Sequence, residues 1–333
     1  AIIKQTLQRV NVRHDVFFNE NSLYDSGAVT AMRDRLDKAG YVYRSATSEN
    51  PGDRKPGEQE EDTGDKGVAT WFHSTVLGDA KDRVLVKSDG NPTYTLPDIA
   101  YHVNKIERGF DLLVNILGAD HAAQYKVVQY GVKALGYDPS IINVIIIQLV
   151  KMVRDGKEVK ISTRSGNYET LDDLIDQTNP DVVRYMLLAR SPDSQLTFDL
   201  DLAVKQSNEN PVYYIQNAYV RCAGIFREAA ARGLTDEGAD VRLLGAAELR
   251  FIRKALELGE VIELSATGLE PHKIAFYAHE LAGVFHPIYD EVRALHGDVP
   301  PELAMTRLRF YRAAQVVFKR VLDLMGMSAP ERM

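Results

Sequence analysis

The sequence predicts an α/β chain in two parts, an open and partly parallel sheet domain over residues 1–207 followed by an all-α bundle over 208–333. Two observations carry that expectation. Between Arg83 and Ile147, short apolar runs alternate with stretches of helical period, which is the pattern of strands joined by helical crossovers. From Leu202 onward the alternation stops, and only amphipathic helical periodicity remains, broken at Gly233, Pro271 and Gly297 to Pro301.

Taken in order, the first thirty residues end in a helix start at Ser26 or Gly27, and the helix closes at Leu36 to Gly40. Residues 46–67 contain no large apolar side chain. Such a stretch buries too little surface to offset its ordering entropy and is expected to be an exposed loop. Arg83 to Lys87 and Pro92 to Thr95 flank the turn Ser88-Asp89-Gly90-Asn91 and predict a hairpin. A helix beginning at Pro97 would bury Ile99, Val103 and Ile106. Leu112 to Leu117 reads as a buried strand, followed by Gly118 and a helix over His121 to Leu135, and Ile141 to Ile147 as the next buried strand. A second hairpin, Leu149 to Val153 and Glu158 to Ile161, turns at Asp155-Gly156. Thr170 with Asp173, and Asn179 with Pro180, carry helix N-cap patterns, and Glu302 to Met325 is the longest predicted helix.

Composition narrows the function classes. At 333 residues with 45% hydrophobic and 26% charged, the chain suits two ordinary domains. The most apolar stretch, Ile141 to Val150, is interrupted by Asn143 and Gln148 and is far short of the roughly 20 residues a membrane span needs. The first residues lack the apolar core and cleavage site of a signal peptide. The single cysteine, Cys222, allows no internal disulfide, fits a small core position and suits a reducing cytoplasm. A net charge of −7 argues against nonspecific coating of nucleic acid, so RNA would have to be held by local basic patches.

Five segments, in order, carry a resemblance: DRVLVKSDGNPTYTLPDIAYHVNKIERGFD (82–111), GADHAAQ (118–124), VKISTRSGNYETLDDLI (159–175), SNENPVYYIQNAYVR (207–221) and LMGMSAPERM (324–333). Together they resemble the arginyl-tRNA synthetases, from the second half of their Rossmann-like class I catalytic domain through the helical anticodon-binding domain. The resemblance implies arginine–tRNA ligase activity, with tRNA(Arg), L-arginine and ATP as partners and Mg2+ accompanying ATP. It also implies a cytoplasmic enzyme that is monomeric when complete.

The residues support that chemistry. Tyr94 and Asp98 are four apart across the start of a helix, a spacing that can aim a phenol and a carboxylate into one pocket. A guanidinium, with its rigid fork of donors, suits such a pair, and a carboxylate in a first helical turn is favoured by the backbone dipoles. The plainer reading is a helix cap beside a core tyrosine. Asp120, His121 and Gln124 follow the carboxyl end of a predicted strand, where open α/β sheets bind ligands. The resemblance places amino-acid and adenosine contacts there; a helix cap is the alternative.

Lys160, Ser162, Thr163 and Arg164 occupy the place of the KMSKS loop, whose cations offset the charge that grows on the phosphates of ATP. Thr163 stands where the second lysine is usual, and the resemblance implies a compensating cation elsewhere, Arg164 being one candidate. For the anticodon the resemblance marks Asn217, Arg221, Tyr289 and Met333, with Asn217 replacing a frequent aromatic. Arg307, with Arg309, Arg312, Lys319 and Arg320, could meet the phosphate backbone or form a solvated face.

The family's HIGH-type tetrapeptide does not occur around His14, His73, His102 or His121. The expectation is therefore a chain that lacks the N-terminal half of the enzyme and is inactive alone. A noncatalytic tRNA-binding or assembly module is the rival. A cysteinyl-type synthetase is a second rival, disfavoured because one cysteine cannot supply the usual zinc ligands. No protein metal cluster is visible in the sequence.

Overall fold

The computed structural model describes residues 2–49, 67–121, 125–159 and 170–333. They form two compact units, one of Asp15–Leu149 and one joining residues up to His14 with Val150–Met333. The first helix, α1 (Ile2–Arg9), belongs to the second of these.

In the unit of Asp15–Leu149, α2 (Asn21–Asp25) and α3 (Ala28–Lys38) precede an antiparallel sheet of β1 (Val42–Ser45), β2 (Ala69–Phe72) and β3 (Arg83–Val86) in that order. Then come α4 (Thr95–Glu107), β4 (Leu113–Gly118), α5 (Tyr125–Ala134) and β5 (Ile142–Ile147). The last two strands are parallel, in register from Leu113 opposite Ile142 to Gly118 opposite Ile147, with α5 as the crossover. Leu36, Phe72, Leu85, Ile99 and Val132 are completely buried and form the centre of this core. The two helices approach closely at Gly131: a Cβ there would lie 2.4 Å from Ile99 Cδ1.

Three expectations shift here. The strand Pro92 to Thr95 reduces to a single bridge from Pro92 to Val86, because the chain is already helical at Thr95. Pro97 is tolerated two residues in, since first-turn N–H groups have no intrahelical acceptor. The run Leu112 to Leu117 is buried on one face only: Leu113 is buried, whereas Val114 and Ile116 are 39% and 63% exposed. After β4, residues 119–121 form a 3-10 turn, and α5 begins at Tyr125 rather than His121.

The other unit contains β6 (Val150–Arg154), β7 (Lys157–Glu158), α6 (Leu171–Gln177), α7 (Pro180–Leu188), β8 (Leu196–Asp199) and α8 (Leu200–Ala203). β6 is central, antiparallel to β7 and parallel to β8. The Asp155-Gly156 hairpin forms, with both residues at positive φ. Its predicted far end at residues 160 and 161 lies outside the described residues, as do 50–66 of the predicted loop. Both N-caps form as expected. Thr170 and Asp173 make a reciprocal capping box, and the Asn179 side chain accepts from Val182 N.

Beyond Asp199 the described residues contain only helices and turns: α9 (Pro211–Ala231), α10 (Ala246–Leu256), α11 (Leu258–Thr267), α12 (His272–Glu291) and α13 (Pro301–Leu324). α13 is the longest, and Gly233 stops α9 at a positive φ of 67°. Phe251, Phe285, Phe310, Tyr311 and Phe318 make a fully enclosed aromatic centre. Cys222 is buried, and burial pushes its thiol far up, out of the reactive range.

The terminal segment is tied down by polar contacts. Arg184 donates to the carbonyls of Met325 (2.6 Å) and Val10 (2.5 Å), Ser328 N donates to Asp181 (3.0 Å), and Arg227 donates to the Glu331 carbonyl (2.7 Å). α1 is held to α6 by Thr6 and Arg9, which bond to Asp172, and by an ion pair of Arg9 with Asp176.

Candidate functional site

Asp98 sits in the first turn of α4, and its side chain makes no hydrogen bond or ion pair among the described residues. Desolvation pushes its carboxyl pKa up, and the nearby Glu20 adds to the push, while Lys105 and His121 oppose it. The Tyr24 phenol is raised by the same neighbourhood: burial first, then Glu20, Asp98 and Tyr94. Glu20, Tyr24, Tyr94 and Asp98 therefore lie within electrostatic reach of one another, and among the described residues no basic group is bonded to Asp98. Tyr94 itself is 84% exposed, which excludes the reading of it as a core tyrosine.

Behind Asp98 lies a cavity of about 220 Å³ between α4, β4 and α5, lined by Tyr101, His102, Leu117, His121 and Tyr125 among others. Asp98 and His121 both face this cavity. Asp120 points to solvent, with an Oδ2 3.5 Å from His121 Nε2. Its other carboxylate oxygen folds over Gly118, where a Cβ would stand 2.7 Å from it. Gln124 lies outside the described residues, as do Lys160, Ser162, Thr163 and Arg164. The loop's flanks are described: Val159 packs on the core and Thr170 opens α6.

In the helical bundle, Tyr213, Asn217 and Arg221 form a stripe along α9, spanning about 12 Å of helix axis. The Arg221 guanidinium lies 4.5 Å over the Tyr289 ring. His286 fixes that cation: its Nε2 donates to the Tyr214 carbonyl (2.9 Å), leaving Nδ1 to accept from Arg221 (3.2 Å). Burial lowers the pKa of His286, consistent with a neutral ring. Tyr289 borders a cavity of about 380 Å³ with Glu228, Arg232, Arg293 and His296. Met333 lines a separate, polar groove with Tyr213, Gln216 and Asn179.

Arg307 turns inward, its guanidinium 3.5 Å from the buried Glu248 and 2.9 Å from the Arg293 carbonyl. Arg309 and Arg312 both close on Asp236, Arg312 with two bonds of 2.8 Å, and Lys319 pairs with Asp323. Arg320 remains on the exposed side of α13. Arg312, followed by its neighbour Arg309, holds the Asp236 carboxyl below its usual range, so the pair stabilises the fold above the carboxylate range and loses that contribution as pH falls through it. Asp236→Asn is expected to cost about 1–3 kcal/mol at neutral pH. Urea melts of variant and parent should converge toward about pH 3, and an equal gap at both pH values would refute the pairing.

Comparison with known proteins gives the family of both parts of the chain. Residues 54–197 match the family described as tRNA synthetases class I (R), catalytic domain, and residues 215–333 the DALR anticodon binding domain. Arginine–tRNA ligases of Heliobacterium modesticaldum and Carboxydothermus hydrogenoformans are each 42% identical to it, over 99% of this chain and 56% of theirs. The chain belongs to the arginyl-tRNA synthetase family. A solved structure from Campylobacter jejuni, described as an arginyl-tRNA synthetase, superposes with a TM-score of 0.84 at 29% identity, covering 100% of this chain and 67% of the other. The chain thus spans little more than half the length of the curated relatives it matches. Class I catalytic and DALR helical architecture account for the mixed α/β part and the strand-free remainder.

One further candidate, Glu20, was not singled out from the sequence. Glu20 precedes the short helix α2, seventy-eight residues before Asp98, and no spacing rule connects the two. The local signal was an acidic residue four before an aromatic, Glu20 and Tyr24 in NENSLYDSG. Their proximity emerges only from the packing of α2 on α4.

Proposed function

We propose that this chain is the arginine- and anticodon-recognising portion of an arginine–tRNA ligase. The observation that carries the reading is Asp98, a carboxylate raised by burial and by Glu20 and lacking any hydrogen-bonded or ionic partner among the described residues. Such a place favours a cation brought by the substrate, and a guanidinium can bond two carboxylates and a phenol at once. Asp98, Glu20 and Tyr94 would hold it, while Asp120, His121 and Gln124 contact the amino acid and adenosine.

The reaction is two displacements. The arginine carboxylate attacks the α-phosphorus of ATP and pyrophosphate leaves; a hydroxyl of the terminal ribose of tRNA(Arg) then takes the arginyl group and AMP leaves. ATP arrives with Mg2+ as substrate. Lys160 and Arg164 would offset charge on the departing pyrophosphate, with Ser162 and Thr163 as hydroxyl donors. Asn217, Arg221, Tyr289 and Met333 would read the anticodon. Arg307 is better explained as a support for α13, since its guanidinium is engaged internally. In this reading the catalytic portion ends near Ser207, and the complete enzyme is a cytoplasmic monomer. No helix among the described residues is long and apolar enough to cross a membrane.

The rest of the enzyme would complete the ATP site. The exposed Val114 and Ile116 face of the parallel pair supports this, because parallel sheets are ordinarily covered on both faces. Purified alone, with arginine, tRNA and ATP, the chain is expected to give no arginine-dependent pyrophosphate exchange. Exchange should appear when the N-terminal part of a full-length relative such as the Heliobacterium enzyme is co-expressed. Exchange by the chain alone would overturn the requirement for a second part. Tight tRNA binding without exchange in either case would favour a noncatalytic tRNA-binding module.

A further inference from the structure

The inner wall of the cavity beside Asp98 is a chain of three hydrogen bonds whose directions are fixed by chemistry. Lys105 Nζ lies 3.0 Å from Asn115 Oδ1, Asn115 Nδ2 lies 2.6 Å from His102 Nε2, and His102 Nδ1 lies 2.8 Å from the Asp98 carbonyl oxygen. An ammonium only donates, so the Asn115 oxygen must face Lys105 and its amide nitrogen must face the ring. The ring therefore accepts at Nε2 and carries its proton on Nδ1, donating to the backbone of Asp98. The carboxamide of Asn115 accepts from Lys105 and donates to His102 at once, which a carboxylate in its place could not do.

We propose that Lys105, Asn115 and His102 form a positioning chain for the guanidinium pocket, keeping His102 as an uncharged wall of the cavity beside Asp98. The inference rests on the reading of that cavity as the arginine site. An imidazolium there would neutralise the field of Asp98 and repel the incoming guanidinium. Burial, and after it the ammonium of Lys105, hold the ring down at about 4, in keeping with a neutral state at working pH. Lys105 itself is lowered by burial and by Arg108, and its ammonium lies 4.3 Å over the Tyr101 ring. Among the described residues, the polar groups that line the cavity with His102 are Asp98, Tyr101 and Lys105 from its own helix, Asn115 from β4, His121 from the turn and Tyr125 from α5. Asn115 is thus a positioning residue. It touches the ring and the ammonium, and sets what charge the substrate meets.

The test is Asn115→Asp in the complete enzyme. A carboxylate accepts from Lys105 but cannot donate to His102, so the ring should take up a proton near neutrality and become an imidazolium in the pocket. KM for arginine is expected to rise by about tenfold or more at about pH 6 and to fall toward the parent value by about pH 8.5, with kcat changed less than about threefold. The parent should show no such slope. A variant with parental KM at both pH values would overturn the proposal. Independently of activity, nitrogen-15 spectra of the His102 ring in the isolated chain should show a neutral, Nδ1-protonated ring from about pH 5.5 to pH 8, and an imidazolium near pH 6 in the variant. An Nε2-protonated or charged parental ring would overturn the hydrogen-bond chain even if the variant enzyme misfolds. No arginine-dependent exchange by the parental complete enzyme would instead sink the arginine site and, with it, the pocket role, while the ring spectrum still tests the hydrogen bonds by themselves.

Discussion

Replacing Asp98 with asparagine in the complete enzyme is expected to lower kcat/KM for arginine by about 30- to 1000-fold, equivalent to about 2–4 kcal/mol of transition-state binding. The substitution keeps the shape and removes the charge that a guanidinium would meet. Among the described residues the Asp98 side chain makes no bond that the change would break, so the melting temperature should move little. Discrimination against citrulline, the neutral near-isostere of arginine, should erode, because the amide no longer favours a cation. The same physics predicts that KM for arginine rises as pH falls into the raised titration range of Asp98, since only its ionised form attracts the substrate. A variant whose arginine kcat/KM stays within about threefold of the parent, with citrulline still excluded, would place Asp98 outside the arginine site.

The legible parts of the fold were those governed by local rules. Thr170 and Asp173, or Asn179 and Pro180, cap helices by contacts spanning three residues, so the pattern alone locates them. The break at Gly233 is equally local, because a positive φ favours glycine. What failed was whatever depended on distant neighbours. The apolar run from Leu112 to Leu117 reads as buried on both faces, yet burial depends on which elements cover each side, and Val114 and Ile116 face solvent. The site divides in the same way. Asp98 was visible from its place at a helix start, whereas Glu20 joins it only through tertiary packing. The arginines of α13 looked alike in sequence, but Arg307 and Arg312 have acidic partners, Glu248 and Asp236, that lie fifty-nine and seventy-six residues away.

Tyr289 is the sharpest test of anticodon reading, and its surroundings alter how the test must be run. The ring is neither free nor enclosed. It packs at 6.2 Å from both Phe285 and Tyr311, while one face carries Arg221 at 4.5 Å and its edge borders the cavity near Arg232. A base could stack against this aromatic–cation pair or displace Arg221 from it, and such stacking contributes about 1–3 kcal/mol per base. Tyr289→Ala is therefore expected to weaken charging of tRNA(Arg) by about ten- to a hundredfold in kcat/KM. It should also destabilise the bundle by about 1–3 kcal/mol, since part of a packed ring is lost. With these aromatic neighbours, an unchanged melting temperature is the wrong criterion for a role in recognition. Tyr289→Phe keeps the stacking surface and should retain both stability and charging. Arg221→Gln should then separate the two roles, because it leaves the Phe285 and Tyr311 contacts intact and removes the cation that bonds to His286 and pairs with Asp290. The expected outcome is reduced tRNA affinity with free arginine binding unchanged, measured at a temperature where every variant is folded. If Tyr289→Ala and Arg221→Gln both bind tRNA like the parent under those conditions, Tyr289 is a packing residue and the anticodon is read elsewhere on the bundle.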